Sequence, residues 1–199
     1  MQIIGLIGGV ASGKSAVGAA LAQRGAVVFN ADEFGHAVLK EPEIRDVLVQ
    51  HWGPGVLGKD GEISRPAVAK IVFARTPKGV EEREYLEQLV HPGIRRRIEA
   101  AIQALPTTGI SAVVIDAALL LEAGWAAVCT AIVFVDAPRE QRLARARTRG
   151  WSDEEFSRRE AAQLPIEKKR RRASYLLENS GTLADLDAAV NRYWATITE

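Results

Sequence analysis

The stretch with the clearest chemical meaning is residues 8–15, which read Gly-Gly-Val-Ala-Ser-Gly-Lys-Ser. This spacing matches the phosphate-binding pattern G-x-x-x-x-G-K-[ST], which lies between a strand and a helix. Its glycines allow successive backbone N–H groups to face an anion at the positive end of a helix. Lys14 supplies a mobile cation for the β- and γ-phosphates, and the Ser15 hydroxyl can ligate Mg²⁺. The motif therefore predicts a nucleoside triphosphate site.

The predicted ATP-binding residues are this loop and the residue after it. They are Gly8, Gly9, Val10, Ala11, Ser12, Gly13, Lys14, Ser15 and Ala16. A glycine-rich turn without a ligand is the competing interpretation. The functional interpretation is preferred because a predicted strand precedes the motif and a predicted helix follows it.

A second chemical signal is the excess of basic side chains in residues 139–172, which hold 12 Arg or Lys against 6 Asp or Glu. Guanidinium groups match the geometry of phosphate oxygens. We therefore expect this segment to form a lid, in which some of the basic side chains contact the nucleotide. The other basic side chains, especially Arg171 and Arg172, are expected to face solvent. An RNA-binding patch is the alternative, although Trp151 and Phe156 are few aromatic residues for base stacking.

The elements that must position these groups are visible as five short apolar runs, which predict strands at residues 3–7, 26–29, 112–115, 130–135 and 175–177. Helical spacing of apolar residues occurs at 14–24, 140–149 and 183–197. Apolar strands separated by helices predict a parallel sheet that is covered on both faces, as in α/β proteins.

Polar residues end the predicted strands, and open parallel sheets bind ligands at the carboxyl ends of their strands. Besides the phosphate loop, these residues are Asn30 with Asp32, Asp116, Asp136 and Asn179. For Asp136 we favour the simpler interpretation, in which the carboxylate ends a turn or caps a helix.

Residues 33–106 have a different character, because prolines divide them into helical pieces. These prolines are Pro42, Pro54, Pro66, Pro77, Pro92 and Pro106. Residues 52–55 and 58–61 carry loop signals. We therefore expect a nucleotide-binding core of residues 1–32 and 107–199, with its lid at about 139–172, and a helical insertion at 33–106.

Composition excludes several other classes. The single cysteine, Cys129, excludes an internal disulfide, and with three His residues it argues against a structural zinc site. A net charge of +1 gives no general attraction to nucleic acid or membrane. The apolar runs are far below the ~20 residues of a membrane span. No signal peptide is indicated, so we expect a cytoplasmic protein.

A triphosphate site alone allows a kinase, a GTPase switch or an ATPase motor. The N-K-x-D pattern typical of guanine-specific switches does not occur in the sequence. Asp116 is followed by Ala117 and Ala118, so the Glu that commonly activates water in motor ATPases is missing from that position. The small size, the insertion and the basic lid favour a kinase that binds an acceptor and keeps water out.

The sequence resembles the dephospho-CoA kinase family along almost its whole length. The resemblance rests on residues 4–15, Asn30-Ala31-Asp32 with His36, 60–65 with Val72-Phe73, 89–95, 116–122, 141–143 with Arg149, 159–165, Lys169-Arg170 and 179–181. It implies transfer of the γ-phosphate of ATP to the ribose 3′-hydroxyl of dephospho-CoA. It also implies a P-loop NTPase-type three-layer fold with a five-stranded parallel sheet, a helical CoA-binding insertion and a lid.

The resemblance also implies roles for particular residues. Asp32 is the candidate base, although it could instead cap the helix that follows it. Lys14 with Arg142, Arg149 and Arg159 would spread the charge of the transition state. Ser15 and Asp116 would hold Mg²⁺, although a strand-end turn is the simpler role for Asp116. Arg142 and Asn179 would contact the adenine region.

The remaining residues concern the acceptor substrate. The predicted substrate-binding residues are Asp32, His36, Arg65, Phe73, His91, Leu120 and Glu122. His91 with Pro92 is mainly interpreted as a helix break, and Trp125 and Cys129 as core residues. The sequence departs from the family at Asn30, Ala118 and Ser174, where Asp, Pro and Asp are usual. A nucleoside or nucleotide kinase and a non-catalytic ATP-binding regulator remain alternatives.

Overall fold

The computed structural model describes residues 1–106 and 108–198. Thr107 and Glu199, which bound the second core segment expected from the sequence, lie outside the described residues. The chain divides into two compact units, Met1–Asn30 with Ala104–Glu199, and Ala31–Gln103. Asp32 therefore falls in the second unit. Within the described residues, no helix is both long and apolar enough to span a membrane.

The first unit is built on a single sheet of five parallel strands, as predicted. The strands are β1 (Gln2–Gly8), β2 (Val27–Asn30), β3 (Ala112–Asp116), β4 (Ala131–Asp136) and β5 (Tyr175–Glu178). Their order across the sheet is β2-β3-β1-β4-β5. The carboxyl ends of the strands therefore lie at one edge, where β1 leads into the glycine-rich loop.

Helices account for most of the remaining chain. They are α1 (Lys14–Ala22), α2 (Ala31–Val38), α3 (Pro42–Trp52), α4 (Arg65–Val72), α5 (Pro77–Gln103), α6 (Arg139–Thr148), α7 (Asp153–Ala161), α8 (Ile166–Arg171) and α9 (Leu183–Thr198). Short 3₁₀ turns occur at Pro54–Val56 and Trp125–Val128. Helices α2 to α5 belong to the second unit, and the others belong to the first.

Both faces of the central strand β1 are buried, which explains why its apolar run does not alternate. On one face, Ile4 and Leu6 pack in a cluster with Val17 of α1 and Val190 of α9. On the other face, a Cβ atom at Gly5 would lie only 2.9 Å from Leu120 Cδ1 and from Cys129 Sγ. The loop after β3 therefore lies directly on the sheet at Gly5.

Most of the helix boundaries that the prolines predict are present in the second unit, but one of them is not. Pro42 and Pro77 begin α3 and α5, and Pro66 is in the first turn of α4. The predicted helix break at His91-Pro92 is wrong, because α5 continues through Pro92. The helix packs against α2 there, since a Cβ atom at Gly93 would lie 3.1 Å from both methyl carbons of Val38. Buried packing next to the proline offsets the lost backbone hydrogen bond.

A polar and aromatic cluster joins α3 to α5 within this unit. Glu82 Oε2 accepts a hydrogen bond from Trp52 Nε1 at 2.8 Å and lies 2.7 Å from His51 Nε2. The His51 ring stacks on Tyr85 with 3.9 Å between ring centroids. The hydrogen bonds from Trp52 and then His51 lower the pKa of Glu82. Glu82 therefore holds α5 to the end of α3 as a carboxylate.

Candidate active site

The phosphate loop connects β1 to α1, the local context that its motif requires. Ser12 N donates to Gly9 O at 3.1 Å, and Gly13 precedes α1 with φ of 96°. Ala11 also has a positive φ of 59°, which is uncommon for a residue other than glycine. The surrounding packing must hold Ala11 in this conformation, which costs on the order of 1 kcal/mol.

That packing comes from the predicted lid. Val10 and Ala11 are buried in a cluster with Ala146 of α6 and Phe156 of α7. Leu143 and Trp151 are partly buried against the same cluster. Two of the predicted ATP-binding residues therefore use their side chains to fix the loop to the lid helices. Anion binding by such loops depends on backbone N–H groups, which this anchoring holds in place.

Ser15 and Asp116 form the polar pair at the carboxyl ends of the strands. Ser15 Oγ donates to Asp116 Oδ2 at 2.8 Å. Asp116 is the last residue of β3, in register with Leu6 of β1. A hydroxyl and a carboxylate side by side supply the hard oxygen ligands that Mg²⁺ prefers, and Mg²⁺ usually takes its other ligands from phosphates and water. The residues present therefore fit a magnesium ion.

Lys14 is the first residue of α1 and is half-buried. Its position directly after Gly13 places it at the positive end of the helix axis, where anions are stabilised by the helix dipole. The location agrees with the cationic role expected from the motif.

Arg142 lies beneath the loop rather than in solvent, with only 3% of its surface exposed. Its Nη1 donates to Val10 O at 3.2 Å and to Glu160 Oε1 at 2.6 Å, and its Nε donates to Ala137 O at 3.1 Å. A Cβ atom at Gly9 would lie 2.7 Å from Arg142 Nη1. The guanidinium therefore joins the phosphate loop to α6 and α7.

Asn179 also contacts the loop, from the segment after β5. Its Nδ2 donates to Ser12 O at 2.7 Å, and its backbone N donates to Asp136 O at 2.7 Å. A Cβ atom at Gly13 would overlap with this amide nitrogen. The close approach and the positive φ both require glycine at position 13.

Arg145 is a site residue that the sequence argument did not single out. Its Nη1 donates to Ser12 O at 3.1 Å, and its Nη2 donates to Asn179 O at 2.8 Å. It thus links the phosphate loop to the segment after β5. The spacing of three residues from Arg142, which places both side chains on one face of α6, is the signal that could have revealed it.

The other two arginines expected to clamp phosphate occupy different environments. Arg159 lies 4.0 Å from the Trp151 ring centroid and pairs with Glu155 at 2.8 Å. Arg149 follows α6 and is exposed, with no ion-pair partner within residues 1–106 and 108–198. In this conformation Arg149 is the more available of the two for a phosphate.

Glu122, expected to bind substrate, is engaged in a buried ion pair. Its Oε1 lies 3.0 Å from Lys169 Nζ and accepts from Leu164 N at 2.9 Å. Lys169 is 2% exposed and also donates to Ala118 O at 3.2 Å and to Gln163 Oε1 at 3.0 Å. These bonds join the loop after β3 to α8, so we reassign Glu122 to holding that loop against the lid.

Leu120, also predicted to bind substrate, lies in the core of the first unit. Its side chain is fully buried at 0% exposure and packs over Gly5 of β1. An apolar side chain in this position covers the sheet at Gly5. Trp125 is buried nearby, as expected, and burial raises the pKa of Cys129 to about 11.

Asp136 differs from the expectation of a turn or cap. Its Oδ2 accepts a hydrogen bond from Arg170 Nη1 at 2.8 Å, so its carboxylate ties the end of β4 to α8. Its backbone carbonyl receives the Asn179 N–H described above. The basic excess of the lid is therefore partly neutralised by acids of the core.

The remaining substrate candidates belong to the second unit. Asp32 is exposed and is the second residue of α2, so it does not occupy the cap position before the helix. Arg65 is exposed at the start of α4, and Phe73 is 65% exposed directly after that helix. His36 is half-buried near the end of α2. His91 is half-buried within α5, and burial lowers its pKa, which favours a neutral imidazole at pH 7.

A phosphate loop between the first strand and first helix of a five-stranded parallel sheet, with a hydroxyl and carboxylate pair beside it, defines a P-loop nucleotide-binding protein of the kinase type. The dephospho-CoA kinase family model matches residues 2–185. The chain therefore belongs to the dephospho-CoA kinase family, whose members transfer a phosphoryl group to a hydroxyl.

Individual relatives agree with this membership. The dephospho-CoA kinase of Symbiobacterium thermophilum is 39% identical over 197 residues, which cover 98% of this chain and 80% of that protein. The dephospho-CoA kinase of Geobacter sulfurreducens is 38% identical, with 98% of each chain covered. The crystal structure of TT1252 from Thermus thermophilus has a TM-score of 0.81 and 35% identity, covering 100% of this chain and 98% of that one.

Proposed function

We propose that this protein transfers the γ-phosphate of ATP to the 3′-hydroxyl of the ribose of dephospho-CoA, giving CoA and ADP. The observation that carries the proposal is the Ser15–Asp116 pair beside an anchored phosphate loop, in a chain that belongs to this family. A loose transition state leaves little covalent chemistry to the protein. The residues of the protein therefore act by positioning the two substrates and by stabilising the charge of the transition state.

The donor half of the reaction uses the first unit. Backbone N–H groups of the phosphate loop and the ammonium of Lys14 bind the β- and γ-phosphates. Ser15 and Asp116 would hold Mg²⁺, with a water molecule between the metal and the Asp116 carboxylate. When bound, Mg²⁺ neutralises negative charge on the phosphate oxygens. Arg142 and Asn179 stabilise the phosphate loop by donating hydrogen bonds to the carbonyl groups of Val10 and Ser12.

The acceptor half uses the second unit. Asp32 orients the 3′-hydroxyl and accepts its proton, with the transferring phosphoryl stabilised by Lys14, Arg149 and Arg159. The exposed Phe73 offers an apolar surface, and Arg65 offers a cation for phosphate groups of the substrate. His36 and His91 complete the proposed set of substrate contacts.

The test is an acceptor panel scored by ADP release with Mg²⁺ and ATP. Separate reactions contain dephospho-CoA, adenosine, AMP, a pyrimidine nucleoside, or no acceptor. We expect turnover that requires dephospho-CoA. Turnover with a nucleoside or nucleotide instead would assign the other small-molecule kinase activity, and ATP binding without any acceptor-dependent turnover would assign a regulator.

The proposal also concerns the setting of the reaction. We expect the protein to act in the cytoplasm on small-molecule substrates, without nucleic acid or a membrane as partner. The net charge of +1 supports this expectation, because it provides no general field that would attract a polyanion.

A further inference from the structure

The carbonyl group of Ser12 receives two side-chain donors from elements distant in sequence. Asn179 Nδ2 donates to it at 2.7 Å, and Arg145 Nη1 donates to it at 3.1 Å. A backbone carbonyl has two lone pairs, so these two donors satisfy its full capacity. The second branch of the guanidinium, Nη2, donates to Asn179 O at 2.8 Å. One arginine thus holds two backbone carbonyls in fixed relation.

The position of this contact gives it a consequence for anion binding. Ser12 C=O and Gly13 N–H belong to the same planar peptide group, so fixing the carbonyl also fixes the direction of the N–H. Donors on the carbonyl polarise the peptide and strengthen the N–H as a donor. In a phosphate loop these N–H groups face the bound anion. The Arg145 guanidinium on the Ser12 carbonyl therefore strengthens the binding of an anion by the Gly13 N–H on the other side of the same peptide group.

We propose that Arg145 is a positioning residue for ATP, acting through the Ser12–Gly13 peptide and the Asn179 backbone rather than on phosphate directly. The inference rests on the proposed function, in that it places ATP phosphates on the loop. A bidentate guanidinium is required, because an ammonium lacks the rigid fork that spans two carbonyls. Charge-assisted hydrogen bonds of this kind are stronger than neutral ones.

The test compares Arg145→Gln and Arg145→Lys with a matched control on the same helix. Arg147 is exposed on α6 and pairs with Asp153 at 2.6 Å, away from the loop. The measurements are the dissociation constant of ADP with Mg²⁺ by calorimetry, the KM for ATP, kcat, and the melting temperature. ADP binding needs no acceptor, so it decides the role of Arg145 even if dephospho-CoA proves not to be the substrate.

We expect Arg145→Gln to weaken ADP binding and raise the KM for ATP, each about tenfold, the usual consequence of losing one charge-assisted hydrogen bond. The KM for the acceptor and kcat at saturating ATP stay unchanged. Arg145→Lys gives an intermediate loss, and Arg147→Gln behaves as the parent protein.

A merely structural arginine would lower the melting temperature without changing the affinity for ADP. That result, or an equal loss of ADP affinity in Arg147→Gln, overturns the proposal. If Arg145→Gln does not fold, the lysine variant decides, and parent-like ADP affinity in Arg145→Lys also overturns it.

Discussion

Ser15 Oγ donates a 2.8 Å hydrogen bond to Asp116 Oδ2, although 101 residues separate the two along the chain. The contact exists because β1 and β3 are parallel neighbours whose carboxyl ends lie at the same edge of the sheet. It joins the hydroxyl of the phosphate loop to the carboxylate proposed to act on Mg²⁺.

Asp116→Asn should weaken the dependence of activity on Mg²⁺. The amide keeps the size of the side chain and can still contact Ser15, but it removes the negative charge. Outer-shell partners of a metal are typically worth ~10–100-fold in affinity. The half-saturating Mg²⁺ concentration should rise by that order in a titration at fixed ATP.

Asp136→Asn is the matched control, since Asp136 ends β4 and pairs with Arg170 instead. Its half-saturating Mg²⁺ concentration should equal that of the parent. An equal shift in both variants would mean that Asp116 has no particular relation to the metal.

Asp32→Asn should lower kcat by ~10²–10⁴, the usual contribution of a general base, with the smaller loss expected for a loose transition state. The KM for ATP should stay near the parent value because Asp32 belongs to the acceptor half of the proposal. Steady-state kinetics with dephospho-CoA as the varied acceptor would measure both quantities.

Glu33→Gln provides the control for Asp32. Both acids lie in the first turn of α2, where a negative charge stabilises the helix by about 0.3–1 kcal/mol. Both variants should therefore lose similar stability, but only Asp32→Asn should lose kcat. If Asp32→Asn keeps nearly full kcat, the role of Asp32 is limited to stabilising α2, and Asp116 becomes the better candidate for the base.

Lys169→Met should destabilise the fold by about 3 kcal/mol, because the largely buried Glu122 carboxylate loses its cation and keeps only the Leu164 N–H as a partner. Urea unfolding would measure the loss. Lys168→Met, on the same helix but exposed, should change the free energy of unfolding little. If the KM for the acceptor rises in Glu122→Gln while stability is unchanged, the reassignment of Glu122 is wrong.

The pH dependence of stability should report the Glu82 cluster. Hydrogen bonds from Trp52 and His51 lower the pKa of Glu82 in the folded state below its ordinary value of 4.5. A lowered folded pKa contributes stability above the unfolded value, and this contribution is lost as pH falls below about 4.5 and through the folded pKa.

Glu82→Gln removes that contribution and should flatten the acid limb of the stability curve. Urea midpoints measured from pH 7 down to pH 3 would show the difference. Glu84→Gln, which changes an exposed acid on α5, should keep the steep acid limb of the parent. Parallel acid limbs in Glu82→Gln and the parent would contradict the assigned role of the cluster.

Local pattern was sufficient for the framework of this protein. Each apolar run became a strand, because an apolar run buried on both faces is the signature of a parallel sheet and depends only on neighbouring residues. The phosphate loop was equally local, since its motif specifies glycines and a lysine within eight positions. The family resemblance added the order of the units and a list of candidate side chains.

Tertiary structure decided where those side chains lie and which groups of the protein they contact. Leu120 and Glu122 belong to a motif shared with the family, yet one covers Gly5 and the other pairs with Lys169. The spacing of Arg145 from Arg142 places both on one face of α6, but it does not show what the guanidinium of Arg145 contacts. Its role follows from where α6 places its guanidinium, beside two carbonyls that are distant in sequence. Such contacts depend on which face of a helix a residue occupies and on the order of the strands in the sheet. The order of the strands cannot be deduced from the spacing of residues along the sequence. The continuation of α5 through Pro92 has the same cause, because packing of Gly93 on Val38 outweighed the local preference of proline to end a helix.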